Sequence, residues 1–234
     1  MADQFSLIAL LAMATGYACG SIPFGLLLTR AFNLGDLRQI GSGNIGATNV
    51  LRTGRKDIAA ATLILDALKG AAGVLLAVSI ARAVFGPLPA DADVIAASNP
   101  AIAGGLGAML GHCFPVWLGF RGGKAVATYL GVIFIWSWVA GLGFAAAWLA
   151  MAAISRISSL AALTAVLLVP WLVWSAWSLD VLTGPDSPHK AFLWLAHPVA
   201  VAGGCALAAI LIVWRHRANI GRLLRGEEPR IGQR

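Results

Sequence analysis

Seven apolar runs alternate with short polar intervals along this chain, at residues 5–32, 58–84, 94–114, 125–137, 139–154, 160–177 and 192–214. A helix needs about 20 apolar residues to cross a bilayer, so the longer runs predict membrane-spanning helices. Asp3 and Gln4, rather than a basic stretch, precede the first run, which therefore predicts a permanent span and not a cleaved leader. The two middle runs together cover about 30 residues, roughly 45 Å of helix, which is long for one crossing and short for two.

Charge placement favours two. Arg30, Arg38, Arg52, Arg55 and Lys56 make the first loop basic, whereas Asp91 and Asp93 make the next one acidic. Basic loops stay cytoplasmic, so these two lie on opposite sides and the third run returns Arg121 and Lys124 to the cytoplasm. A single crossing of 125–154 would put Arg156 and the arginines at 215, 217, 222, 225, 230 and 234 outside. Two short spans, hinged between Trp136 and Gly143, restore the rule, with tilt or a thin bilayer absorbing the shortness. The expected fold is an all-α integral membrane protein with seven transmembrane helices, N terminus outside and C terminus cytoplasmic. It forms one polytopic domain, 1–234, ending in a basic tail at 215–234.

Composition excludes a soluble domain: 59% of residues are hydrophobic and 12% charged, and mean hydropathy is +0.81. Nine Trp and 27 Gly suit membrane interfaces and close helix approach. Cys19, Cys113 and Cys205 lack ligand spacing and read as small core residues; no His, Cys or carboxylate cluster predicts a metal site or cofactor. The tail arginines read as topology signals and contacts to anionic membrane lipids, and no nucleic acid is expected.

Three polar segments resist a packing explanation. Residues 41–52 carry Gly41-Ser42-Gly43-Asn44, then Gly46, Thr48, Asn49 and Arg52, offering backbone amides, small polar side chains and a fixed cation to an anion. Residues 119–124, Gly119-Phe120-Arg121-Gly122-Gly123-Lys124, fail the nucleotide P-loop test, because three residues separate the outer glycines and Ala125 follows the lysine. A glycine-flanked helix start with Arg121 and Lys124 still predicts phosphate binding through bare amides and charge. In the third segment His216 and Asn219 are spaced i, i+3, on one face of a continuing helix. The topology puts all three on the cytoplasmic side, where they can build one site. Asp66 and Lys69, also i, i+3, lie two to three turns inside the second run and read as an internal ion pair or as ligand contacts; Arg156, Ser158 and Ser159 form a turn within reach.

Longer strings of these residues carry a resemblance. They are Gly20-Ser21-Ile22-Pro23-Phe24-Gly25, the run from Gly41 to Arg52, Asp66-Ala67-Leu68-Lys69-Gly70, Gly111-His112-Cys113-Phe114-Pro115, the run from Gly119 to Thr128, and the tail from His216 to Glu228. In this order, nearly end to end, the chain resembles the bacterial membrane acyl-phosphate:glycerol-3-phosphate acyltransferase family. The resemblance implies seven spans in the inner membrane, a cytoplasmic-side site, and acyl transfer from acyl phosphate to the 1-hydroxyl of glycerol 3-phosphate, giving lysophosphatidate and phosphate. It also implies Ser42, Arg52, Lys124, His216 and Asn219 as catalytic residues. Gly41, Gly43, Asn44, Thr48, Asn49, Gly119, Arg121, Gly122 and Gly123 would hold phosphate, with Asp66, Lys69, His112 and Ser158 as further candidates. Glu227 or Glu228 corresponds to a structural tail glutamate, and a soluble acyl-phosphate-producing acyltransferase is a candidate partner. Arg121 and Ala125 depart from the family, which usually has Lys and Gly there.

An acyl phosphate is a mixed anhydride with a good leaving group and needs no acyl-enzyme. Consistently, neither Ser21 nor Ser42 sits in a Gly-x-Ser-x-Gly elbow, and no histidine is followed four residues later by Asp. Positioning of two anions and stabilisation of the leaving phosphate remain as the catalytic means. Lys124 and Arg52 would neutralise phosphates, Ser42 and Asn44 would hydrogen-bond them, and His216 with Asn219 would orient the acceptor. The base is then His216 or a substrate phosphate oxygen. A permease for a phosphorylated solute or a noncatalytic lipid-binding scaffold are the rival classes; the first would require polar residues through the outer half of the bundle.

Overall fold

The computed structural model describes residues 2–86, 99–183 and 197–232, and every regular element among them is helical. The helices are α1 (Ala2–Gly20), α2 (Phe24–Ala31), α3 (Ala47–Val50), α4 (Lys56–Phe85), α5 (Asn99–Cys113), α6 (Val126–Trp136), α7 (Trp138–Ser155), α8 (Ser158–Thr183), α9 (Pro198–Arg215) and α10 (Arg217–Leu224). Asp91, Asp93, Arg234 and the starts of the runs expected at 94 and 192 lie outside the described residues.

Five stretches are long and apolar enough to cross a bilayer: Ser6–Ala31, Lys56–Phe85, Asn99–Leu118, Trp138–Ser155 and Ser158–Ser175. The bent pair α9–α10 makes a sixth candidate, and α6, with 11 residues, falls below a crossing length. The hinge expected between 136 and 143 sits at Ser137, whose extended backbone ends α6 and whose hydroxyl accepts the Ala140 N–H to start α7.

The first apolar run is not the unbroken helix the sequence predicts. Pro23 has no N–H and forces Ile22 out of helical geometry, so the chain breaks between α1 and α2. In hydrocarbon the freed carbonyls need donors. Trp117 Nε1 donates to the Ser21 carbonyl at 2.9 Å and Lys69 Nζ to that of Ile22 at 2.6 Å. Lys69 also pairs with Asp66 at 2.7 Å, and both side chains are buried. The lysine is therefore engaged in closing the break.

Small residues set how closely the helices approach. α1 lies on α5 with Gly16 against Gly104 and Gly20 against Ala108, and α4 lies on α6 with Gly131 against the Ala67 carbonyl; a Cβ at Gly16, Gly20 or Gly131 would overlap backbone. Membrane helices associate through such contacts because lipid supplies no hydrophobic drive between them. Gly131→Val is expected to destabilise the bundle by about 1–3 kcal/mol, the cost of overpacking, read as a lower unfolding temperature in detergent. Trp136 is fully buried at the centre of the main core, with Nε1 donating to the Ala101 carbonyl at 3.0 Å.

At the far end the last helix does not continue. It bends by 62° at His216, where the apolar α9 gives way to the basic α10. A helix with this charge leaves the apolar layer and lies along its surface.

Candidate functional site

The bend at His216, the 41–52 loop and Lys124 at the end of the second glycine-rich loop meet at one cavity of about 660 Å³. Its polar wall comes from the 41–52 loop, from Lys124 and the first turn of α6, from Ser158 and Ser159 at the start of α8, and from His216, Asn219, Arg222 and Glu228. Leu63, Val126, Trp148 and Ala162 form an apolar side, and Leu63 is itself 46% exposed on the outer face of α4.

In the first loop Gly41 and Gly43 adopt positive φ, which lets the chain double back before α3. Asn49 is buried and holds the turn together. Its Nδ2 donates to the carbonyls of Leu37 and Ile40, both at 2.9 Å, while Oδ1 accepts from the Ser42 N–H at 3.3 Å and from Arg52 at 3.0 Å. The amide thus aims Arg52, and its own polar atoms are taken up by the protein. Ser42 and Asn44 line the cavity beside it, as does Thr48, which is hydrogen-bonded to Ser158 at 3.1 Å.

The second loop departs from the expectation of bare amides. Gly122 N–H donates to the Cys113 carbonyl at 3.1 Å and Gly123 N–H to that of His112 at 3.0 Å. Both glycine carbonyls accept from Arg215, at 2.8 and 2.9 Å. Stitched on both sides, Gly122 and Gly123 do not line the cavity; nor do Gly43, Gly119, exposed Arg121 or Lys69. The loop instead delivers Lys124, and the backbone lining the cavity beside it belongs to Ala125, Val126 and Ala127 at the start of α6, where helix amides and dipole favour negative charge. Ala125 makes this turn at φ +60° while almost wholly buried. Relieving that left-handed strain, Ala125→Gly is expected to stabilise the protein by about 1 kcal/mol after its backbone entropy cost, measured as a rise in unfolding temperature.

Lys124 donates to Asn219 Oδ1, and Asn219 Nδ2 in turn donates to Glu228 Oε1. Ser159 donates to the same carboxylate oxygen at 2.7 Å, and Arg222 Nε to Oε2 at 2.7 Å. Just past this carboxylate the tail docks on the turn before α8, the Ile231 N–H donating to the Arg156 carbonyl at 2.6 Å. Burial, countered by Glu228 and reinforced by Arg222, Arg215 and Arg52, brings the Lys124 ammonium down to about 8. Burial alone would raise the Glu228 carboxyl, but hydrogen bonds from Asn219, Ser159 and Arg222 outweigh it and hold the group below its ordinary value.

His216 is buried, with Nδ1 2.8 Å from the Ile212 carbonyl oxygen. That contact fixes the proton on Nδ1. Burial, and after it the Lys124 charge, lowers its pKa to about 4, so the ring is neutral at physiological pH. Asp66 and His112 complete the cavity from α4 and α5.

Arg215 and Arg222, expected among lipid-facing tail cations, turn inward instead, one onto the glycine loop and the other onto Glu228. Residues 216, 219 and 222 recur every three positions from the bend into α10, a spacing that marks Arg222, whereas nothing in the sequence marks Arg215. Ser159 stood only as a neighbour of Ser158.

Residues 10–226 match the glycerol-3-phosphate acyltransferase family. The glycerol-3-phosphate acyltransferase of Maricaulis maris is 54% identical over 97% of this chain and 88% of its own length. That of Mesorhizobium japonicum is 51% identical over 95% and 96%. Crystal structures of PlsY, an integral membrane glycerol 3-phosphate acyltransferase, superpose with TM-scores of 0.74 for its glycerol 3-phosphate form and 0.72 for its lysophosphatidic acid form; both are 35% identical and cover 96% of this chain, and 96% and 95% of their own. With its helical bundle, its membrane-length apolar helices and a match over nearly its whole length, this chain belongs to the glycerol-3-phosphate acyltransferase family of integral membrane proteins.

Proposed function

We propose that this protein transfers an acyl group from acyl phosphate to the 1-hydroxyl of glycerol 3-phosphate, giving lysophosphatidate and phosphate. One observation carries the reading: a single cavity pairs a cation-rich polar wall, from Arg52 to Lys124 and Arg222, with an apolar side at Leu63, Trp148 and Ala162. A phosphorylated head and an acyl chain both find their complement there. The forms in which PlsY was crystallised, with glycerol 3-phosphate and with lysophosphatidic acid, are an acceptor and product of this kind.

In this reading Lys124 and the α6 amides hold one phosphate, and Arg52, with Ser42 and Asn44 beside it, holds the other. His216 and Asn219 orient the glycerol. The hydroxyl oxygen attacks the acyl carbon as its proton passes to a substrate phosphate oxygen, the bond from that carbon to the phosphate oxygen breaks, and phosphate departs with the electron pair against fixed positive charge. Two reactants seated in one cavity supply the rest of the acceleration. Seven spans in the inner membrane, with the N terminus outside and the cavity on the cytoplasmic side, fit the basic loops that surround it, α6 being the short crossing. An acyl-phosphate-producing enzyme would then deliver donor to this face.

The test is phosphate release from palmitoyl phosphate by detergent-purified protein, with and without glycerol 3-phosphate, and with palmitoyl-CoA in parallel. Release that depends on glycerol 3-phosphate, with the CoA ester inert, is the expected result. Turnover of the CoA ester instead would overturn the donor assignment.

A further inference from the structure

One cation close to the cavity does not line it. Arg215, the last residue of α9 before the bend, is half-buried behind the second glycine loop. Its guanidinium is fixed in two ways. Along its edge, Nε and Nη2 donate to the carbonyls of Gly123 and Gly122 at 2.9 and 2.8 Å. Two aromatic rings flank it, with the central carbon 5.3 Å from the centroid of Phe114 and 5.9 Å from that of Trp214. A planar fork suits this place, since a lysine ammonium can neither stack as a plane nor hold both carbonyls in parallel. On their other side the same two glycines give their N–H groups to the Cys113 and His112 carbonyls at the end of α5. The loop is thus clamped between the ends of α5 and α9, and the next residue along it is Lys124. Both acceptors of Arg215 are neutral, and among the described residues no carboxylate forms an ion pair with it. Its charge therefore stays uncancelled behind the lysine.

Resting on the acyl-transfer reading, we propose that Arg215 is a positioning residue of the reaction: it fixes the loop that presents Lys124 to phosphate and sets a second positive charge behind that lysine. Arg215 acts through Lys124 and touches neither reactant. A shift of about 1 Å in a group that seats a reactant can cost roughly 10²-fold in rate, so a clamp on the residues just before the lysine bears directly on turnover. The charge has its own consequence. The charged groups acting on Lys124 are Glu228 from the tail, Arg222 from α10, Arg215 from α9 and Arg52 from the first loop. Asp66, His112 and His216 share the cavity wall with it. After burial, the arginines are what bring the ammonium down to about 8, against the opposing pull of Glu228. A positive neighbour disfavours a second positive charge, so removing Arg215 lets Lys124 keep its proton to higher pH.

Steady-state kinetics on palmitoyl phosphate and glycerol 3-phosphate, followed from neutral into alkaline pH, test the assignment. Arg215→Gln is expected to lower kcat/KM about 10- to 100-fold and to move the falling alkaline limb to higher pH. Arg215→Lys keeps the charge and loses the fork, so kcat/KM should fall about tenfold with the limb left in place. In a Lys124→Ala background, Arg215→Gln should lower kcat/KM by less than about threefold, because its effect runs through the lysine. A residue that merely holds the bundle together would cost the same in both backgrounds and leave the limb where it was. Either of those results in folded protein overturns the proposal, as does Arg215→Gln with kcat/KM within about threefold of the parent. If Arg215→Gln does not fold, Arg215→Lys with and without Lys124→Ala decides: no loss, or an equal loss in both, overturns it. A parent enzyme that releases no phosphate in response to glycerol 3-phosphate instead overturns the acyl-transfer reading itself, and is recognised before any variant is made.

Discussion

Lys124→Ala is expected to lower kcat/KM for glycerol-3-phosphate-dependent phosphate release by roughly 10³-fold, the scale lost when a preorganised charged donor to a developing anion is removed. The lysine lines the cavity beside the first turn of α6, and in the proposed scheme its charge and the helix amides act on the same anion. Its lowered pKa adds a pH signature. Because the ammonium titrates near 8 rather than at its usual value, kcat/KM should be level from neutral pH and fall as pH rises through about 8, where the free enzyme loses that charge. Lys124→Arg should remove the falling limb, since guanidinium stays protonated throughout. A limb that persists unchanged in the arginine variant would show that another group titrates there. His216, neutral above about 4, should contribute no acidic limb between pH 6 and 8.

The second large effect is assigned to Glu228. One carboxylate accepts from Ser159, Asn219 and Arg222 and so ties α8, α10 and the tail into one wall. Glu228→Ala leaves those donors without their acceptor, and losing hydrogen bonds to a charged group costs about 1.5–3 kcal/mol each. The expected result is a fall of roughly 10²-fold in kcat/KM as Asn219 and Lys124 lose their fixed geometry, together with a lower unfolding temperature. Glu228→Gln keeps the shape and removes the charge. Since the carboxylate raises the Lys124 pKa, its loss should move the alkaline limb to lower pH. A limb that stays in place would separate Glu228 from the lysine electrostatically.

Much of this site is legible in the linear sequence, for identifiable reasons. Polar, glycine-rich strings cannot sit in hydrocarbon, so 41–52 and 119–124 have to be loops, and charge alternation puts them on one side with His216. Gly20 and Pro23 lie in plain view, but the break they produce is masked, because apolar residues on both sides carry the hydrophobic pattern straight across it. The glycine loop is hidden for a related reason: a glycine with a free amide and one whose amide is bound to a distant carbonyl look the same in sequence. Asn49 is a similar case, expected to contact phosphate and found to fasten its own turn and aim Arg52.

By itself the sequence determined whatever local chemistry and the bilayer as solvent dictate. Helix is the available backbone form in an apolar layer, basic loops choose a side, and clustered small polar residues with isolated cations mark where an anion binds. Tertiary structure decided everything that depends on which donor meets which acceptor across the bundle: Arg215 on the glycine carbonyls, Glu228 beneath Asn219, and Asp66 behind His112. Those partners come together across a bend or from distant parts of the chain, and close packing of glycine against backbone brings them within hydrogen-bond or ion-pair range. Hydrophobic pattern specifies that a helix is buried but is blind to its rotation and depth, and it is rotation and depth that turn scattered polar residues into one site.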